Sequence, residues 1–190
     1  MTTLSHGLTK NLASRPLAVQ NVALVLTGSW IVALLAQISI PLGFTPVPVT
    51  GQTLGVLLVG SALGGRLGLF SLLAYLVQGS IGLPFFAGGT GGMAVFGQPT
   101  AGYLFAFPVA AWLVGALAER GWDRSPVRTL LSFALGHCAV FAGGLFWLSF
   151  FVPRDQVLLL GLYPFVLGTL IKCLIAAGML PATWRALARR

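Results

Sequence analysis

Lys172 carries the most conspicuous chemistry in this sequence, because it is a single cation in an apolar stretch. No other Lys, Arg, Asp or Glu occurs between Gln156 and Trp184. A charged side chain near the centre of a bilayer costs roughly 2.5 to 3.5 kcal/mol on insertion scales, so such residues usually face an aqueous cavity. The pattern indicates a binding site for an anion that the protein does not itself supply.

Other polar residues at membrane depth could complete such a site. Gln52 and Tyr103 fall near the predicted outer ends of apolar segments, and each must find a hydrogen-bond partner there. Thr169 precedes Lys172 by three positions, so both side chains share one helical face. The alternative for Gln52 and Tyr103 is bonding between helices. The alternative for Lys172 is snorkelling, or pairing with Asp155.

A glycine-rich segment supplies a second kind of candidate. Gly88, Gly89 and Gly91 permit backbone conformations that are closed to other residues, so their amides could approach a ligand closely. Phe86 would supply an apolar wall. Loops longer than about 12 residues are often lids or binding loops, with a flexible connector as the alternative. Apolar walls with a few polar anchors suit a small organic molecule.

The sequence shows no recognisable catalytic motif and no metal-ligand spacing. Ser80 and His137 are a possible nucleophile and base, but neither lies in a recognisable catalytic motif. We expect His137 to be a satisfied histidine between helices, with a ligand or proton-relay role as the alternative. Cys138 and Cys173 lie in apolar segments without metal-ligand spacing. The prediction is a protein that is not an enzyme and has no metal or cofactor.

Composition decides the environment of these residues. The chain of 190 residues is 57% hydrophobic and 7% charged, whereas a soluble domain carries about 25% charged residues. We therefore predict an integral membrane protein with one domain, residues 1–190. Basic residues outnumber acidic ones by 11 to 3, but they are scattered singly rather than gathered in a stripe, so nucleic acid is not an expected partner.

Uncharged runs divide into six predicted spans. Leu17–Gly65 and Leu67–Ala118 are each long enough for two helices of about 20 residues. Proline and glycine clusters at 41–48 and in the glycine-rich segment mark the joints. Thr129–Pro153 and Gln156–Trp184 supply the fifth and sixth spans. The predicted fold is thus an all-α membrane protein with six transmembrane helices, of which the second (Thr50–Gly64) and third (Leu67–Ile81) are short.

Positive charge predicts the orientation of these spans, because short cytoplasmic loops are enriched in Lys and Arg. Both termini and the second and fourth joints are basic, whereas the opposite side has only Arg154. We therefore expect cytoplasmic N and C termini, with loops 1, 3 and 5 outside. Pro164 suits the first turn of the sixth helix, which places Lys172 about 12 Å inward. The basic residues on the cytoplasmic side are Lys10, Arg15, Arg66, Arg120, Arg124, Arg128, Arg185, Arg189 and Arg190.

Four stretches of the sequence carry distinctive motifs: Ala36–Pro41, Val47–Leu58, Gly82–Gly92 and Pro99–Leu104. Together they closely resemble the BioY family, the biotin-specific substrate-binding (S) component of energy-coupling-factor (ECF) transporters. The resemblance implies six helices and a biotin site near the outer face that is covered by loops. It also implies assembly with a transmembrane coupling (T) subunit and cytoplasmic ATPase subunits, although some members act without dedicated partners.

The resemblance also assigns roles to individual residues. In the family, a Gly-Asp pair precedes the sixth-helix lysine by one turn and helps to bind biotin; here Lys172 matches, but Thr169 stands where the acid is usual. A carboxylate would accept hydrogen bonds from the ureido N–H groups, and charge-assisted bonds are roughly twice as strong as neutral ones. We therefore expect reduced affinity, compensation by another acceptor such as Gln52, or a shifted ligand preference. Ser29 and Ala33 match first-helix positions that meet the coupling subunit.

The expected function is capture and uptake of biotin across the cytoplasmic membrane, where Lys172 holds the valerate carboxylate. Aromatic and glycine-loop residues would enclose the bicyclic rings. The chain contains no P-loop motif, so any ATP hydrolysis must come from another subunit. The alternative is an autonomous secondary transporter or channel for a small organic anion.

Overall fold

Helices account for most of the described chain, which comprises Thr3 and residues 17–188 of the computed structural model. Short 3-10 turns at Ala87–Gly89, Met93–Gly97, Trp122–Arg124 and Tyr163–Phe165 separate some of the helices. In chain order the helices are α1 Leu17–Ala36, α2 Gln52–Leu63, α3 Gly65–Ser80, α4 Ala101–Glu119, α5 Pro126–Leu148, the short α6 Val157–Gly161 and α7 Val166–Ala188.

Several of these helices have the length and composition of membrane spans. Within the described residues, α1, α4, α5 and the segment Val157–Leu187, which contains α6 and α7, are long and apolar enough to cross a bilayer, and α2 is apolar but shorter. Large apolar side chains on α1, including Leu17, Val22 and Leu34, are exposed. Since lipid rather than water tolerates such a surface, the chain is a multi-pass membrane protein.

The boundaries of α2 and α3 lie within two residues of those predicted from the positions of proline and glycine clusters. Gly64 separates the two helices with a φ of +88°, a left-handed conformation that only glycine adopts without strain. Glu119 at the end of α4 accepts a hydrogen bond from the Gly65 amide at 2.8 Å. The start of α3 and the end of α4 therefore lie together.

The most buried span is α4, which packs against α2, α3 and α5. Its contact with α2 is close because Gly60 has no side chain there. A Cβ atom at Gly60 would lie 2.4 Å from the carbonyl oxygen of Ala111. Small residues at such crossings allow the backbones of membrane helices to approach one another.

The first loop folds into a short β-ribbon, which the all-α prediction did not include. Strands β1 (Ser39–Ile40) and β2 (Val49–Thr50) pair antiparallel, with Ser39 opposite Thr50. Thr45, between the strands, donates its hydroxyl hydrogen to the carbonyl of Leu160 in α6 at 2.7 Å. This contact fixes the loop against the segment that leads into α7.

The predicted sixth helix differs at its beginning. Pro164 lies in the 3-10 turn Tyr163–Phe165 rather than in the first turn of the long helix, and α7 begins at Val166. The short α6 precedes this turn. The chain thus enters the membrane-spanning part of α7 through two short helical pieces instead of one continuous helix.

Candidate functional site

A cavity of about 190 Å³ lies between loop 1, α2, loop 3, α4, α5 and α7. Five of the residues predicted from the sequence line it, although they come from four separate parts of the chain. The starts of α2, α4 and α7 all contribute, so these three helices open toward the same end of the molecule. The five residues are Gln52, Phe86, Tyr103, Thr169 and Lys172.

Lys172 is the one charged side chain among the described residues that line the cavity. Its ammonium group donates to the Thr50 carbonyl oxygen at 2.6 Å and to the Thr53 hydroxyl at 2.8 Å. Neither acceptor is charged, and no bond to Asp155 forms in the described chain. An ammonium has three N–H donors, so one remains for a ligand. The site therefore offers a localised positive charge without a protein counter-ion.

One face of α7 forms the wall around this lysine. Phe165, Thr169 and Lys172 all line the cavity, and Ala176 on the same stripe is buried. This arrangement follows from the spacing of three and four residues on a helix. Thr169, where the resemblance expects a carboxylate, contributes a neutral hydroxyl one turn before the ammonium group.

Gln52 belongs to a buried chain of hydrogen bonds. Its side-chain amide donates to the Tyr75 hydroxyl at 2.7 Å, and its oxygen accepts from the Thr50 hydroxyl at 3.0 Å. Tyr75 in turn donates to the Phe85 carbonyl at 3.1 Å. Gln52 thus lines the cavity while it connects α2 with α3 and loop 3. Its amide oxygen accepts from Thr50 and keeps a second lone pair, so its replacement of the missing acid stays a prediction.

Tyr103 combines the two roles that the sequence left open. Its ring forms part of the cavity wall, and its hydroxyl donates to the Gly161 carbonyl at 2.8 Å. Gly144 on α5 makes room for this ring, because a Cβ atom there would lie 2.2 Å from Tyr103 Cε1. Tyr103 therefore joins α4 to the end of α6 and packs against α5.

Loop 3 reaches the cavity through residues other than the predicted glycines. Phe86, Ala87 and Thr90 line the cavity, whereas Gly88, Gly89 and Gly91 do not. Gly88 and Gly89 adopt left-handed φ values of +68° and +71°, and a Cβ atom at Gly91 would lie 2.3 Å from the Leu83 carbonyl oxygen. The glycines give the loop its path, and their neighbours form the wall.

Phe86 is held in that wall by aromatic neighbours and by a glycine. Its ring makes edge-to-face contacts with Tyr75 at 5.5 Å and with Phe96 at 5.7 Å between centroids. Gly79 lies directly beneath, because a Cβ atom there would approach the Phe86 ring to 2.2 Å. The position of this wall therefore depends on α3 as well as on loop 3.

Ser29 and Ala33, predicted to contact a partner subunit, face the interior of this chain. Ser29 is 0% and Ala33 6% exposed, and Gln78 on α3 donates to the Ser29 hydroxyl at 2.9 Å. Small residues allow close helix packing, but their pattern does not say which helix approaches. Here α3 and α2 occupy that side of α1, and a contact with the coupling subunit at these two residues stays a prediction.

His137 lines the cavity, and a ligand role for it was only the alternative reading of the sequence. It was expected to be satisfied between helices, yet the structure satisfies only one of its nitrogens. Nδ1 lies 2.9 Å from the Phe133 carbonyl oxygen, while the buried Nε2 atom has no partner within the described residues. Nothing in the one-dimensional pattern of α5 signalled this orientation, because His137 is surrounded by apolar residues on both sides.

This fold and cavity define a class, the membrane-embedded solute-binding proteins. One solved structure with the same fold is described as the S-component for biotin from an ECF-type ABC transporter; it covers 88% of this chain and 92% of its own, at 28% identity and a TM-score of 0.76. The sequence pattern of the BioY family matches residues 7–189. The chain belongs to the BioY family, which confirms the resemblance found in its motifs. It is a transporter component and not an enzyme.

Curated relatives cover most of the chain. A protein of Lactococcus lactis subsp. cremoris named biotin transporter BioY2 is 39% identical over 160 residues, which are 82% of this chain and 85% of the relative. The biotin transporter BioY of Thermotoga maritima is 39% identical over 156 residues, 82% of this chain and 86% of the relative. A probable biotin transporter BioY of Pyrococcus horikoshii is 39% identical over 141 residues, which are 74% of this chain and 82% of the relative.

Proposed function

We propose that this protein captures biotin and takes part in its uptake across the cytoplasmic membrane as the S component of an ECF-type transporter. The observation that carries the proposal is the cavity whose single charged lining residue, among those described, is Lys172. Biotin is a small organic acid with an anionic tail and an apolar bicyclic body. The relatives and the matching structure named above are described as biotin proteins.

In the proposed complex, the third N–H donor of Lys172 binds the valerate carboxylate. Thr50 and Thr53 hold the ammonium group at the cavity wall without neutralising it. A ligand carboxylate supplies the missing counter-ion, and a charge-assisted hydrogen bond of this kind contributes about 1.5 to 3 kcal/mol. The aromatic residues Phe86, Phe141 and Phe165 enclose the rings. Thr169 accepts a weaker, neutral hydrogen bond.

The proposed topology is a single domain, residues 1–190, with six spans, cytoplasmic N and C termini and loops 1, 3 and 5 outside. Two observations support it. Loops 1 and 3 line the cavity at one end of the molecule. At the opposite end, the Gly65–Glu119 hydrogen bond joins the connection between α2 and α3 to the end of α4. Arg66 and Arg120 lie beside that bond in sequence, so basic residues gather away from the cavity mouth. Lys10, Arg15, Arg189 and Arg190 lie outside the described residues.

The proposed partners are a transmembrane coupling (T) subunit and cytoplasmic ATPase subunits, because the chain contains no nucleotide-binding motif. The decisive experiment reconstitutes the chain in liposomes and measures uptake of radiolabelled biotin with and without added coupling subunit, ATPases and ATP. Uptake that requires all added components supports the S-component mechanism. Full uptake by the chain alone establishes an autonomous transporter instead, and absence of biotin binding in detergent rejects both.

A further inference from the structure

His137 is a buried polar side chain that reaches the cavity and is only half satisfied. The residue is 2% exposed and forms part of the cavity wall on α5. Its Nε2 atom has no hydrogen-bond partner in the part of the chain that the structure describes. Buried polar atoms are nearly always paired, so an unpaired nitrogen beside a cavity points to a partner that arrives with the ligand.

The contact with Phe133 fixes the character of this nitrogen. Nδ1 lies 2.9 Å from the Phe133 carbonyl oxygen, and because a carbonyl only accepts, Nδ1 must carry the proton. The neutral imidazole then has its lone pair on Nε2. Cys173 Sγ lies 3.7 Å from the same Nδ1 atom and leaves Nε2 unaffected. The unpaired atom is therefore a hydrogen-bond acceptor.

His137 and Lys172 present complementary groups from different walls. The Lys172 ammonium is drawn toward Thr50 and Thr53, at the β2–α2 side of the cavity. His137 instead lies on α5 beside Cys173, which follows Thr169 by one turn on α7. A ligand that has both an anion and an N–H donor can thus engage both walls at once.

We infer that Nε2 of His137 accepts a hydrogen bond from an N–H group of the bound ligand. This inference rests on the proposed function, under which the donor is a ureido N–H group of biotin. His137 lines the cavity and its Nε2 atom is buried in the chain without ligand, so the contact requires a shift of the ring or of its neighbours when the ligand binds. His137 then provides the acceptor that Thr169, as a neutral hydroxyl, provides only weakly. This acceptor on α5 comes in addition to Gln52, whose amide oxygen accepts from Thr50 and keeps a second lone pair.

Two variants separate the acceptor from the rest of the side chain. His137→Asn retains an amide that can bond to the Phe133 carbonyl but does not extend to the position of Nε2. His137→Gln carries an amide oxygen about as far as Nε2. The Phe133 carbonyl keeps its helical partner in both, because backbone bonds within α5 do not depend on the side chain. If His137→Asn does not fold, His137→Leu is the second variant that lacks an acceptor at the position of Nε2.

The experiment measures dissociation constants for biotin and for its two ureido N-methyl derivatives by titration of the purified chain in detergent. We expect His137→Asn to weaken biotin binding about tenfold, as loss of one buried hydrogen bond predicts, and His137→Gln to restore most of it. We also expect the preference of the wild-type protein for biotin over one N-methyl derivative to shrink in His137→Asn. Thermal unfolding without ligand checks that each variant is folded.

The outcomes separate this inference from the function on which it rests. If the wild-type protein binds biotin and His137→Asn leaves both the affinity and the discrimination unchanged, His137 is only a packing residue. Equal losses in His137→Asn and His137→Gln, with discrimination retained, would also overturn the acceptor role. If the wild-type protein does not bind biotin, the proposed function fails, and the ureido assignment fails with it.

Discussion

Replacement of Lys172 by methionine tests the central electrostatic argument. Methionine preserves the length and apolar stem of the side chain but removes the ammonium group, and with it the bonds of 2.6 Å to Thr50 and 2.8 Å to Thr53. Loss of a charge-assisted hydrogen bond to the ligand carboxylate costs about 1.5 to 3 kcal/mol, which is about 10- to 150-fold in the dissociation constant. The variant should still fold, because it no longer places an uncompensated charge in the membrane.

The assay is calorimetric titration in detergent with biotin and with biotin methyl ester. The wild-type protein should strongly prefer the acid, and Lys172→Met should bind acid and ester with nearly equal, weak affinity. Thr53→Val is the matched control, because it removes one acceptor from Lys172 while the charge remains; its effect should be less than about fivefold. The reasoning is refuted if Lys172→Met keeps the wild-type preference for the acid.

Two further predictions concern packing and pH. In Gly144→Ala the new Cβ would lie 2.2 Å from Tyr103, so this variant should lose about 1 to 3 kcal/mol of stability and bind biotin more weakly. Gly178→Ala is the control, because Gly178 has open space around it, and it should change neither thermal unfolding nor the biotin titration. Equal effects of the two variants would contradict the packing argument. Burial raises the pKa of the Asp123 carboxyl more than its bond from Trp184 lowers it, so the folded protein retains a proton that the unfolded chain loses above about pH 3.9. The stability of the folded protein should therefore fall as the pH rises from the unfolded pKa through the raised pKa of Asp123. Thermal unfolding measured across this pH range should show a shallower dependence of stability on pH in Asp123→Asn. An unchanged dependence would mean that other groups cause it.

Glycine and proline clusters predicted the boundaries of α2 and α3 well, because the effects of these residues on the backbone are local. Gly64 separates α2 from α3 as the sequence indicated, since its φ of +88° is a property of one residue. Lys172 and Thr169 share a cavity-lining face because helical spacing alone aligns them. The β-ribbon was not predicted, because Ser39 and Thr50 pair across a loop and two-residue strands carry no alternating pattern.

The orientation of individual groups was harder to predict. Gly88 and Gly91 were expected at the ligand because glycine permits unusual backbone paths, but that freedom does not tell which side of the loop faces inward. Ser29 is small enough to suit a contact with a helix of this chain or of a partner, and in the structure Gln78 on α3 contacts it. The unpaired nitrogen of His137 depends on the rotation of α5 against its neighbours, which an uninterrupted apolar segment does not define.

The two threonine contacts of Lys172 have a consequence for the entropy of binding. A free lysine side chain loses about 1.5 to 2 kcal/mol of rotamer freedom when it is fixed in place. Here Thr50 and Thr53 fix the ammonium group before any ligand arrives, so this loss belongs to folding rather than to capture. An incoming carboxylate meets a cation that is already ordered, and more of the gross interaction energy remains as affinity.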